Sequence, residues 1–131
     1  FNCLYRGIEV EIDVHVRDDF IYMDHDGIED KISCITVDLF DKTFKDFRDK
    51  LWVHCKNLEA ILLFQNKLPD YNYFGHSNDE FVLTSKGYIF TRPNVSPGKN
   101  VVCVMPELCN FKDDVVKKYE LVLTDFPLKY I

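Results

Sequence analysis

The stretch Ile8-Glu9-Val10-Glu11-Ile12-Asp13-Val14-His15-Val16 alternates without a fault, five β-branched residues on one side and three acids and a histidine on the other. Side chains two apart share one face of a strand, so this is a half-buried strand with an aliphatic face on the core and an acidic face outward. The outward acids Glu9, Glu11 and Asp13 are the first candidate binding residues, because a row of carboxylates suits another protein with a basic surface.

Downstream, Arg17-Asp18-Asp19 breaks the alternation, Phe20 to Met23 is a short apolar run, and Asp24-His25-Asp26-Gly27 has turn chemistry. Residues 31–40 read as a further strand. Thr43 and Asp46 resemble a capping box, and Phe44, Phe47, Leu51, Cys55 and Leu58 fall at helical spacing, which predicts a helix from about Phe44 to about Lys56. Leu58 to Phe64 could prolong that helix, but Asn57 permits a break, and Ile61-Leu62-Leu63-Phe64 suits a buried strand equally well, which is the reading adopted. Residues 69–78 read as a loop, and its Tyr71, Tyr73 and Phe74 are the second set of interface candidates, since aromatics bury large area with few rotors to freeze. Their alternative is packing onto the chain's own core.

Ser85-Lys86-Gly87 sits between two apolar runs as a hairpin turn, residues 92–100 are a Pro/Gly loop, and 101–105 return to strand. A short helix over 113–118 and a last strand over 119–123 complete the reading. The class is α+β: a mixed sheet with one principal helix packed across it, β-grasp-like with additional C-terminal strands, forming a single domain over residues 1–131. The start at Phe1, with no basic segment ahead of an apolar run, leads us to expect a piece of a larger protein.

Within residues 8–70, the two strands, the helix after Thr43-Phe44-Lys45-Asp46-Phe47 and the run Ile61-Leu62-Leu63-Phe64-Gln65-Asn66-Lys67-Leu68-Pro69-Asp70 resemble a ubiquitin-like domain. The resemblance implies a β-grasp fold used as an adaptor. It covers under half of the chain, and no Gly-Gly tail follows, so conjugation is not implied.

Composition narrows the function classes. The chain has 131 residues, 47% hydrophobic and 29% charged, as a soluble globular domain does, and no apolar run nears the roughly 20 residues of a spanning helix. No membrane partner is expected. The net charge of −6 has the wrong sign for long-range attraction to nucleic acid, and residues 1–42 concentrate it, with 11 acidic and 4 basic side chains. Five cysteines at irregular spacing, without a Cys-x-x-Cys pair, fit neither a complete disulfide framework nor a zinc ribbon and point to a reducing, cytoplasmic compartment.

Asp24, Asp26 and Glu29 gather enough oxygens to raise a hard cation, but their spacing is not that of an EF-hand, and a solvated acidic turn is the simpler reading. The stretch Tyr22-Met23-Asp24-His25-Asp26-Gly27 also resembles the acidic motif of PB1 domains, although in that family the motif follows the first helix. Neither metal nor cofactor is expected. For nucleophilic catalysis the candidates are a cysteine with His54 or His76, without a family signature around them. Pro97-Gly98-Lys99 lacks the remainder of a P-loop. The expectation is therefore a non-enzymatic protein-interaction domain of a larger intracellular protein. A viral polyprotein suits its Phe-, Tyr-, Val- and Cys-rich composition. The rivals are a small Cys/His enzyme and an RNA-binding accessory domain, and open strand edges also allow a homodimer by strand pairing.

Overall fold

A computed structural model describes residues 1–24, 34–91 and 96–130. The chain is α+β, with two mixed sheets and several helices, and it groups into two compact units, Phe1–His76 and Ser77–Ile131, within the span that the sequence reads as one domain.

The first unit opens with a single helical turn, α1 (Asn2–Tyr5), and its sheet is built from β1 (Val10–Arg17), β2 (Phe20–Tyr22), β3 (Cys34–Thr36), β4 (Leu51–Cys55) and β5 (Asn72–Phe74), in the order β3-β2-β1-β4-β5. β1, β4 and β5 run parallel, while β2 is antiparallel to β1 and to β3. Helices α2 (Val37–Phe44) and α3 (Leu58–Lys67) supply the crossovers. The core holds Val14 and Val16 of β1, Leu51, Val53 and Cys55 of β4, Phe40 and Phe44 of α2, and Leu63 and Phe64 of α3. The aliphatic side of the alternating N-terminal stretch thus faces inward, as expected.

The predicted helix over 44–56 is corrected. Helix α2 ends at Phe44, a 3-10 turn spans Lys45–Phe47, and Leu51–Cys55 is the central strand β4. All five residues of β4 are buried, and its one charged side chain, His54, is buried with them, so the strand shows no alternation of buried and exposed positions that would betray a period of two. The expected strand over 61–64 is helix α3, capped by Asn57, whose Oδ1 accepts from the Ala60 N–H at 3.1 Å. The same amide grips the end of β1, accepting from Val16 N at 3.1 Å and donating to Val16 O at 2.8 Å. Thr36 rather than Thr43 caps α2, accepting from Leu39 N at 3.2 Å, which cuts the expected 31–40 strand short. Two helices, not one principal helix, therefore serve this sheet, and the loop expected over 69–78 contains β5.

The second unit has β6 (Phe81–Leu83), β7 (Ile89–Thr91), β8 (Val101–Val104) and β9 (Leu121–Leu123) in that order, with the short helix α4 (Asp113–Val116) before β9. β6 and β7 form the predicted hairpin, closed by Thr84 N donating to Tyr88 O at 2.8 Å, with Gly87 at φ +84°. Its core gathers Val101, Cys103 and Tyr119, with Ile89, Val115 and Val122 against them. No helix among the described residues is long and apolar enough to cross a membrane.

Candidate functional site

Two places in the fold concentrate chemistry: the polar face of β1, β4 and β5, and the outer edge of β6.

Register builds the first. Glu11, Trp52 and Asn72 stand in one row across the three parallel strands, and Asp13, His54 and Phe74 stand in the next. His54 Nδ1 lies 2.8 Å from Asp13 Oδ1 and 3.5 Å from Glu11 Oε1, while Lys56 Nζ is 3.6 Å from Asp13 Oδ1. Glu9 accepts from Trp52 Nε1 at 2.6 Å. The imidazole stacks on Phe74, with centroids 5.0 Å apart and planes 7° from parallel, and on His76 at 4.6 Å and 9°. The His54–Phe74 separation follows from paired strands about 4.8 Å apart, whereas His76 lies beyond the end of β5.

Burial alone would drive the His54 proton off, but hydrogen bonds to Asp13 and then Glu11 outweigh it and hold the imidazole's pKa up at about 9. His54 is thus a cation at neutral pH, and with Lys56 it matches the two carboxylates charge for charge. Donor atoms of Glu11, Asp13 and His54 all lie within 4.8 Å of one another, an O,O,N set that could hold a divalent ion. A metal there would have to displace the His54 proton and sit against the Lys56 ammonium, so the cluster already carries its own cations. A protonated His54 cannot accept a proton as a general base. His54 and Cys55 are consecutive on a strand and point to opposite faces. Burial pushes the Cys55 thiol up to about 12, and burial with Glu107 and Cys109 nearby pushes the Cys103 thiol to about 11, away from thiolate chemistry at neutral pH.

The sequence-chosen residues take definite places. Glu11 and Asp13 do lie on the non-core face of β1, where they are engaged by His54 and Lys56, and Glu9, exposed just ahead of the strand, accepts from Trp52. Tyr71 is fully buried, its hydroxyl donating to Asp41 Oδ1 at 2.9 Å, and Asp41 in turn takes both of its oxygens to Arg48 Nη2 at 2.7 and 2.9 Å. That is the core-packing alternative for this aromatic. Phe74 is buried at 2% exposure against His54, and Tyr73 packs on the core from a half-buried position. Of the cation candidates, Asp24 is half-buried, whereas Asp26 and Glu29 lie outside the described residues. His54 and Trp52 are not legible from the sequence as partners of the acids, because the helical spacing over 44–56 sets both on a helix.

The second place is β6. Leu83 shares a row with Ile89 and Val101, and Phe81 a row with Thr91, Cys103 and Val122, so both belong to the apolar, core-bearing face of their sheet. There they are left open, 65% exposed at Phe81 and 67% at Leu83. The bond from Thr84 N to Tyr88 O fixes the ladder's phase. Thr84 and Val82 direct their backbone groups to β7, and Phe81 and Leu83 direct theirs outward from the end strand. The chain matches no family model, no curated protein and no solved structure.

Proposed function

We propose that the protein is a non-enzymatic protein-interaction module that engages its partner along the outer edge of β6. The observation that carries this reading is the coincidence, on one end strand, of outward backbone groups and two large exposed apolar side chains, Phe81 and Leu83. Natural sheets guard such edges with charge, proline or a covering element, and an unguarded apolar edge is a template for pairing with another chain. The adaptor role is the one the sequence leads us to expect. It rests here on β6 rather than on Glu11 and Asp13 of β1, whose charges are matched by His54 and Lys56. The imidazolium state of His54 and the high thiol pKa values of Cys55 and Cys103 weigh against the Cys/His enzyme.

The test is site-directed photocrosslinking in living cells, with a benzophenone side chain at position 81 and, as a control, at the equally exposed Leu58 on α3. A discrete adduct from position 81 that position 58 does not give supports the module. Equal or absent labelling at the two positions contradicts it.

A further inference from the structure

We propose that the partner of β6 is a second copy of this chain, paired antiparallel about a two-fold axis that passes between the Val82 residues of the two copies. The proposal rests on reading β6 as the interaction edge and adds the occupant.

Three features of the strand select this arrangement. The outward backbone groups belong to Phe81 and Leu83, two residues apart and symmetric about Val82. An antiparallel partner centred there sets Phe81 of each copy opposite Leu83 of the other, in the hydrogen-bonded type of pair, so that the outward N–H and C=O groups of both strands are satisfied. The same pairing lays each exposed Phe81 side chain beside the other copy's Leu83 on one face of the joined sheet, extending the apolar surface that carries Ile89, Val101 and Cys103. Charge then sets direction. Asp79 and Glu80 precede β6 and Lys86 lies in the turn that follows it, so antiparallel pairing brings the lysine-bearing turn of each copy over the acids of the other. Parallel pairing would set acids against acids. The result is a continuous sheet of eight strands with isologous contacts.

The contact is short, so the dimer is weak, with a Kd on the order of 10 to 100 µM, as expected of an interface below the standard size. Sedimentation velocity over roughly 5 to 500 µM, spanning that Kd, tests it. The wild type is expected to move from monomer to dimer across this range. Leu83→Pro removes only an outward N–H, which proline tolerates on an edge strand, and is expected to raise Kd at least about ten-fold. Should that variant fold poorly, Phe81→Lys with Leu83→Lys places charge on the edge with the backbone intact, and is expected to stay monomeric throughout. Wild type that is monomeric at the highest concentration, or variants that dimerise as well as it does, would overturn the proposal. If the chain stays monomeric while position 81 still crosslinks to a different protein, self-pairing fails and the module reading survives. If neither is seen, both fail.

Discussion

His54 shows how a single side chain can be decided by its neighbours. Desolvation favours the neutral imidazole, two carboxylates at 2.8 and 3.5 Å favour the cation, and the carboxylates win. Because the folded-state pKa lies above the ordinary value of 6.5, the stability this adds is fully present below pH 6.5 and is lost as pH rises through about 9. Histidine titration followed by NMR is expected to give His54 a pKa near 9, and a value near 6.5 would mean that the cluster is not closed. His54→Ala is expected to destabilise by about 3 kcal/mol at pH 6, because it leaves two partly buried carboxylates with Lys56 alone, and by clearly less at pH 10. Urea unfolding at the two pH values reads the difference. Asn57 offers a second test at this scale. Its amide caps α3 and pairs with both backbone groups of Val16, so Asn57→Ala is expected to cost about 2 kcal/mol in the same assay, where an exposed cap costs about 1. The sequence identified Asp13 as an outward strand residue, but its partner was hidden, since pairing across strands 41 residues apart leaves no local pattern.

At the scale of elements, legibility followed exposure. β1 has one apolar and one polar face and reads directly from its alternation, and the β6–β7 hairpin reads from Gly87 in its turn. β4 is buried on both faces, and its Leu51 and Cys55 fell into helical register with Phe44 and Phe47 by coincidence of spacing. In α3, Leu58 and Leu62 are exposed while Ala60, Leu63 and Phe64 are buried, which blurs the amphipathic stripe that would have marked a helix. These assignments make opposite demands on two apolar residues. Val53→Ala, at a fully buried strand position, is expected to lower stability by about 2 kcal/mol, and Leu62→Ala, on the open side of α3, by no more than about 0.5 kcal/mol. Chemical denaturation of the two variants checks the pair, and equal costs would contradict the placement of β4 and α3.

For the molecule as a whole, charge and edges point to different regions than a residue count does. The acidic excess of residues 1–42 points to a steering field on β1, yet Glu11 and Asp13 of that strand lie against His54 and Lys56, and Glu9 ahead of it accepts from Trp52. A feature open to association among the described residues is an apolar strand edge some 70 residues further along, which composition could not reveal because Phe81-Val82-Leu83 reads like any core strand. The most direct measurement is amide hydrogen exchange of β6 at single-residue resolution, at low and at high protein concentration. In dilute solution the Phe81 and Leu83 amides are expected to exchange fast while that of Val82 is protected, and raising the concentration is expected to slow the first two about ten-fold without changing the third. Phe81 and Leu83 amides as protected as that of Val82 in dilute solution, or indifferent to concentration, would contradict it.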